Sequence, residues 1–287
     1  MSLSLNNLTF IIVTFKSEHI IHNCIRSLPK NSKIIVIENS KNEKMKKELE
    51  TEYSNIKVFL QENVGMGKAN NKGIKLSETD YAFVINPDVI FETETIKQLI
   101  NFTVKKDDYA ILAPISDNIN YPNYKIINKN FLNTQEEYLD VDSVDGYAML
   151  INKKKFKDDI YFDENFFLYL ENEDLCLRIK KENKKIYVLK TAKINHLGGK
   201  SPSAIFEREV EYSRNWHWMW SKFYFNKKHH GYINAIINTL PKLFSTKIKF
   251  FYYLIIFNKH KREIYRMRYL GLLNSILCKK SWYRPKI

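Results

Sequence analysis

The sequence predicts an α/β protein built on a parallel sheet, with a helical and basic segment at its C-terminal end. Three observations carry this. Apolar, β-branched runs alternate with helically spaced apolar residues from Leu8 to Ile85, the pattern of strands buried on both faces and joined by crossover helices. Residues 201–287 hold 17 Lys and Arg against 4 Asp and Glu, whereas residues 1–200 hold 29 against 28. In that basic segment the aromatic and apolar residues recur at helical spacing. A hydrophobic fraction of 44% with 8 Gly and 7 Pro in 287 residues excludes a disordered or fibrous chain and suffices for one large domain with an appendage.

The elements follow in order. LTFIIVTF (8–15) is a buried strand. Lys16 to Leu28 carries Ile20, Ile21, Cys24, Ile25 and Leu28 at helical spacing and is closed by Pro29. KIIVI (33–37) is a second strand ending on Glu38-Asn39-Ser40, Asn42 to Tyr53 a charged surface helix, and Ile56 to Leu60 a third strand. Such units give parallel strands with right-handed crossovers, and ligands bind beyond the strands' carboxyl ends. YAFVI (81–85) delivers Asn86-Pro87-Asp88 at such an end, Thr93 to Phe102 is a helix, and YAILAP (109–114) a strand. Residues 116–140 are polar and read as a loop, Val144 to Ile151 as a strand, and Lys185 to Leu189 as the last strand, with Ile194-Asn195-His196 after a short gap.

Two stretches invite chemistry. In NVGMGKANNKG (63–73) Gly65 and Gly67 permit a tight turn, and small residues keep the following helix slim, which suits a nearby phosphate or sugar. It is neither the dinucleotide fingerprint nor a phosphate loop. In FDENFFLYLENEDLCLR (162–178) three carboxylates, Glu171, Glu173 and Asp174, follow an aromatic run. One reading is an acidic helix start, with Asp174 paired to Arg178 one turn on and Leu175, Leu177 and Ile179 packed inward. The other makes one carboxylate a general base whose pKa burial raises. Asp88 can hold a hard divalent cation through oxygen, or merely close a turn.

Taken together, NVGMGKANNKG, NPD, DGYAMLI (145–151), FDENFFLYLENEDLCLR and HLGGKS resemble family 2 inverting glycosyltransferases, and among them the rhamnosyltransferase-like enzymes of bacterial polysaccharide and lipopolysaccharide assembly. The likeness spans roughly residues 8–225. It implies the A-type glycosyltransferase fold, in which a Rossmann-like nucleotide-binding half with a mixed sheet joins an acceptor-binding half. The expected limits are 1–115 and 116–203 for the two halves and 204–287 for the helical region. The resemblance assigns Thr14, Phe15, Glu18, Glu38 and Asn39 to the nucleotide pocket, with Glu38 reaching the base or ribose. Asn63, Gly65, Asn71, Gly73 and Asn86 would line the donor, and Asp88 and His196 would hold Mg²⁺ or Mn²⁺. Asp145, Gly146 and Tyr147 would meet the acceptor, and Gly198, Gly199, Lys200 and Ser201 the phosphates. The chain departs from its relatives at Asn86, where many have a first aspartate, and at Asn172, where relatives read Glu-Asp-x-Asp. An amide cannot accept a proton at neutral pH, so Glu171 is the candidate base, followed by Asp174 and Glu173.

The implied reaction moves a sugar from a dTDP-rhamnose-like, UDP- or GDP-linked donor to a saccharide or lipid-linked acceptor. An altered or inactive transferase, or a nucleotidyltransferase-like protein, is the alternative that Asn172 raises. Nucleic-acid binding is disfavoured because the body carries almost no net positive charge. Cys24, Cys176 and Cys278 show no paired spacing, so a reducing cytosol is expected, and MSLSLNNLTF, with no basic stretch followed by a long apolar run, is not expected to act as a signal peptide. The last 84 residues begin with a helix from Ala204 to about Phe225. The basic, aromatic residues beyond Pro241 suit an anionic membrane surface at the inner face of the cytoplasmic membrane, or else a homodimer contact or a helix packed on the body.

Overall fold

In the computed structural model, which describes residues 3–118, 120–127, 136–157, 159–198 and 204–286, LTFIIVT forms strand β1 (Leu8–Thr14) with every residue buried. The chain then alternates as its periodicity requires: α1 (Ile21–Arg26), β2 (Lys33–Glu38), α2 (Glu43–Glu52), β3 (Ile56–Leu60), α3 (Met66–Leu76) and β4 (Tyr81–Ile85). After these come β5 (Val89–Phe91), α4 (Thr95–Lys105), β6 (Tyr109–Ser116), β7 (Tyr124–Lys125), β8 (Tyr138–Asp140), β9 (Ser143–Val144), β10 (Ala148–Asn152), α5 (Glu171–Lys181) and β11 (Lys185–His196). Contacts divide the chain into two units, Met1–Asp163 with Asn172–Ser203, and Glu164–Glu171 with Ala204–Ile287.

The first unit is built on a mixed sheet in the order β3-β2-β1-β4-β10-β6-β11-β5, with β8 also paired to β11. The strands β3, β2, β1 and β4 run parallel. Strand β10 is antiparallel to both β4 and β6, so the sense of the sheet reverses beside β4. This reversal lies next to the carboxyl end of β4, where ligands of open α/β sheets bind.

Several elements differ from the sequence reading, among them β7 and β8, which lie in the stretch 116–140 read as a loop. Helix α1 is shorter than Lys16–Leu28, because the Ser17 hydroxyl bonds both the N–H and the carbonyl of Phe15 and Lys16 is left-handed at φ 55°. That turn consumes the start of the expected helix. The expected strand Val144–Ile151 is two strands, with Asp145, Gly146 and Tyr147 in the connection between them. Strand β11 runs on to His196 without a gap, through an irregular register between Leu189 and Lys193, and its far end pairs with β5, which periodicity did not reveal.

Gly73 and Asn71, expected at the donor, do packing work instead. A Cβ on Gly73 would stand 2.4 Å from the Ile11 Cγ2, so glycine lets α3 lie close against β1. The Asn71 amide donates to the Phe162 carbonyl at 2.8 Å and its oxygen accepts from the Phe162 N–H at 2.9 Å. Asn71 therefore clamps α3 to the start of the acidic aromatic stretch.

The second unit contains α6 (Glu207–His230), α7 (Tyr232–Ile255) and α8 (Lys259–Ile276). The break between α6 and α7 falls on Gly231 at φ 86°. Helices α6 and α8 touch so closely at Gly271 that a Cβ there would meet the Trp216 carbonyl oxygen at 2.1 Å. Within this unit the segment 164–171 is held by α6. Phe166 meets Tyr224 edge-on, Phe167 stacks on His217 at 4.3 Å, and the Ser221 hydroxyl donates to the Leu168 carbonyl at 2.8 Å. The Arg284 guanidinium covers the other aromatic contact, 3.8 Å from the Phe167 ring centre. Burial pushes the His217 pKa down to about 3, so the ring is neutral. Its Nε2–H donates to the Tyr283 carbonyl and its Nδ1 accepts from Ser281, both at 2.9 Å.

Candidate active site

The carboxyl end of β4 and the far end of β11 meet because β5 and β11 pair antiparallel, with His196 opposite Val89. This register sets Asp88 beside His196. The Asp88 Oδ1 lies 3.4 Å from the His196 Nε2, while the Asp88 carbonyl accepts from the Leu197 N–H at 3.1 Å. Asp88 is 2% exposed, and its Oδ1 has no hydrogen-bond partner among the described residues. The His196 ring is fixed from its other side by Tyr147, which stacks on it at 3.8 Å and 21°. The Tyr147 carbonyl accepts from the Asn86 N–H at 2.9 Å, so the β9–β10 connection and the Asn86-Pro87-Asp88 turn hold each other. Burial pushes the Tyr147 hydroxyl up to about 12, and it stays protonated.

Asp145 adds a second carboxyl to this neighbourhood. Burial raises its pKa; the nearby Lys125 opposes the rise, Glu173 adds to it, and His196 opposes it. Glu173 itself is ion-paired with Lys125. Gly146 packs against the first turn of α5, where a Cβ would stand 3.3 Å from the Asn172 Cβ. The predicted acceptor residues Asp145, Gly146 and Tyr147 are thus brought together with Asp88, His196 and Glu173. Lys125, in a stretch that reads as loop, and the Tyr147–His196 stack had no local signal in the sequence.

The predicted nucleotide residues sit at the carboxyl ends of β1 and β2. Thr14 is buried, and its Oγ1 has no partner among the described residues; its carbonyl accepts from the Asn39 N–H at 2.9 Å. The Asn39 side chain accepts from Gln61 at 2.6 Å and reaches the Gly65 carbonyl at 3.5 Å. Glu18 accepts from the Asn42 amide, and Phe15 belongs to the Ser17 turn. Asn63 closes an Asx turn on the Gly65 N–H at 3.2 Å, and Gly65, at φ 90°, opens α3. Glu38 requires a correction. Its Oε1 accepts from the Ser40 N–H and hydroxyl, and its Oε2 from the N–H groups of Ser40 and Asn42. These three donors, with the Ser40 N–H shared between both oxygens, engage the buried carboxylate in closing the loop into α2 rather than in reaching a ribose or base.

The acidic stretch resolves into distinct parts. Asp174 is fully buried, with Arg178 Nε 3.0 Å from its Oδ2, which is the helical ion pair of the first reading. The inward-packed residues are Leu175, Cys176 and Ile179, with Leu177 only half-buried. Glu171 is different. Its Oε2 is buried without a hydrogen-bond partner among the described residues. Burial pushes its pKa up to about 7, against a hydrogen bond from its own backbone N–H. Immediately before it, Tyr169 and Leu170 are both left-handed, at φ 70° and 68°. Two consecutive non-glycine residues in that region cost on the order of 1–3 kcal/mol each and gather at functional sites. No residue type in the sequence announced this strain.

Asn172, the departure that raised the question of activity, has a structural account: its amide donates to the Val144 carbonyl at 2.9 Å. Asn172→Asp is expected to destabilise the fold by about 1–3 kcal/mol, since a carboxylate cannot donate and would face a carbonyl oxygen. A lowered melting temperature checks this. Of the expected phosphate residues, Gly198 is described, at φ 61°, while Gly199, Lys200 and Ser201 lie outside the described residues.

Residues 9–160 match the family described as Glycosyl transferase family 2. The chain belongs to this family. Among curated proteins, this family 2 chain is 26% identical over 207 residues to the low-salt glycan biosynthesis hexosyltransferase Agl10 of Haloferax volcanii, covering 62% of the chain and 63% of that protein. The chain thus matches less than two thirds of that relative's length. Among solved structures it is similar to GalNAc-T7 crystallised with UDP, GalNAc and Mn²⁺, with a TM-score of 0.55 at 15% identity over 74% of this chain and 51% of that one. It is also similar to Staphylococcus aureus TarS 1-349, with a TM-score of 0.51 at 15% identity over 97% and 93%. These likenesses establish the A-type glycosyltransferase fold, with its mixed sheet, and a helical C-terminal region accompanies it here.

Proposed function

We propose that the protein is an inverting glycosyltransferase that moves a hexose from a nucleoside-diphosphate sugar to a hydroxyl of a saccharide or lipid-linked saccharide. The observation that carries this reading is Asp88, a buried carboxylate at the carboxyl end of β4 whose Oδ1 has no hydrogen-bond partner among the described residues and lies 3.4 Å from the His196 Nε2. Family membership supports the transferase activity. The hexosyltransferase name of the Haloferax relative supports a hexose donor, and the UDP of the GalNAc-T7 crystal supports a nucleoside diphosphate. A rhamnose on a dTDP carrier is the donor that the sequence motifs favour.

The residues fit a divalent cation. Asp88 Oδ1 and Asn86 Oδ1 are buried oxygens without partners among the described residues, and His196 brings an imidazole nitrogen. Oxygen donors with one imidazole suit Mg²⁺ or Mn²⁺. Among the described residues no group of three or more His, Cys, Asp or Glu forms a complete ligand set, so the donor's phosphates and water would fill the remaining positions. When bound, the ion supplies positive charge for the departing diphosphate. Asp88, Asn86 and His196 would hold the ion at that end of the donor, and Tyr147 keeps the His196 ring in place. Glu171 takes the proton from the acceptor hydroxyl as it attacks the anomeric carbon, and one displacement inverts the configuration. Asp145, Glu173 and Lys125 orient the acceptor. In this reading Asn172 serves the fold through its hydrogen bond to the Val144 carbonyl, and Glu171 supplies the carboxylate.

Release of nucleoside diphosphate from a panel of UDP-, GDP- and dTDP-sugars, with and without Mn²⁺, tests the reading. The expected result is release from one donor class that rises with an added acceptor saccharide and with the cation. The product's anomeric configuration, read by NMR, tests inversion. Tight nucleotide binding with no release from any donor would count against transferase activity.

A further inference from the structure

Helix α7 exposes an uninterrupted apolar stripe. Ile233, Ile237, Leu240, Phe244, Ile248 and Phe251 are all exposed, Ile233 by 75% and Ile248 by 67%, and they fall within roughly 80° of arc at 100° per residue. The residues that α7 buries, Ala235, Thr239 and Thr246, lie on the opposite side, where the helix meets its neighbours in the second unit. The stripe runs for nearly the whole helix, about 30 Å at 1.5 Å per residue. It ends in the turn to α8, where Ile255, Ile256 and Phe257 are exposed, Phe257 by 90%, and Phe257 is held left-handed at φ 55°.

The charge around this face has one sign. Helix α7 contains no acidic residue. From Tyr232 to Ile287 the sequence holds 12 Lys and Arg against the single acid Glu263. Lys247, Lys259 and Lys261 are exposed along the stripe and at its end, and Lys249 and Lys261 lie over the rings of Tyr265 and Tyr253 at 5.3 and 5.5 Å. No helix among the described residues is long and apolar enough to cross a membrane. A large exposed apolar surface marks an interaction site, and its one-signed rim selects the occupant. A second copy would set two strongly basic faces against each other. An anionic bilayer takes the apolar stripe into its acyl boundary and the lysines among its headgroups, with Tyr and Phe at the interface.

We propose that α7 lies in the plane of an anionic membrane, its Ile233-to-Phe251 stripe buried at the acyl boundary and the Phe257 turn inserted beside it. The proposal stands apart from the transferase reading, since it requires no catalytic step. Its test is flotation of the full chain with vesicles of phosphatidylcholine alone, and of phosphatidylcholine with about one third phosphatidylglycerol. The protein is expected to float with the anionic vesicles and not with the neutral ones. The triple variant Phe244→Ser, Ile248→Ser, Phe257→Ser should bind at least tenfold more weakly with unchanged circular dichroism, because all three side chains are exposed. Lys247→Gln, Lys259→Gln, Lys261→Gln should lose the preference for anionic lipid. Absence of flotation, or flotation unaffected by both variants, overturns the proposal. So does a dimer seen by light scattering that the apolar variant dissociates while vesicles capture nothing, since a second copy would then cover the stripe.

Discussion

Asp88→Asn is expected to lower kcat by about 10²–10³-fold without unfolding the protein. The substitution is nearly isosteric in a site that is 2% exposed. The contact that anchors the residue, from the Leu197 N–H, goes to its backbone carbonyl and survives. What is lost is one negative charge on an oxygen with no other partner among the described residues. A cation at a departing diphosphate is worth several kcal/mol, and each 1.36 kcal/mol is a factor of ten in rate. The variant should therefore need far more Mn²⁺ or Mg²⁺ for half-maximal rate, with an unchanged melting temperature in the absence of cation. His196→Ala should show the same shift to a smaller degree, because a nitrogen donor is lost but the carboxylate stays. An Asp88→Asn enzyme with normal turnover and normal cation dependence would remove Asp88 from the ligand role.

The sheet was legible because its strands are buried on both faces, which leaves short continuous apolar runs such as FIIV and YAFVI bounded by polar and turn residues. Its carboxyl-end loops were legible for the same reason: a strand that ends abruptly in Asn-Pro-Asp or Glu-Asn-Ser announces a turn. Neighbour relations across the sheet were not legible. Asp88 meets His196 only because β5, three residues long, pairs with the far end of β11, and a strand that short has no readable period. Residue type also misled where a polar side chain serves the backbone. In the sequence Glu38 and Asn71 look like ligand-binding groups, and Asn172 like the loss of a carboxylate. Each is instead engaged with main-chain N–H or carbonyl groups of a neighbouring segment, and only coordinates distinguish these uses. Asp174 and Glu171 illustrate the same limit in one helical turn: the first satisfies its charge with Arg178, while the second has a buried oxygen, Oε2, without a hydrogen-bond partner among the described residues.

That contrast leads to the second large effect. Glu171→Gln is expected to lower kcat by about 10²–10⁴-fold, the usual contribution of a general base, with donor binding retained. The pH dependence supplies an independent readout. Burial holds the Glu171 carboxyl protonated up to about pH 7, so the wild-type rate should rise with pH and level off above that value. The residual rate of the glutamine variant should lack this limb. Stability should move the opposite way. Between the ordinary glutamate value of 4.5 and about 7, the unfolded chain releases this proton while the folded chain keeps it. Folding therefore loses stability as pH rises through that window and does not regain it above. The glutamine variant escapes that loss, so it should match the wild type near pH 4 and melt at a higher temperature at pH 8. A surface carboxylate would give neither result, and a merely structural one would give the second without the first. Full turnover in Glu171→Gln would remove Glu171 from the base role and pass it to Glu173, the remaining candidate, since Asp174 is buried against Arg178.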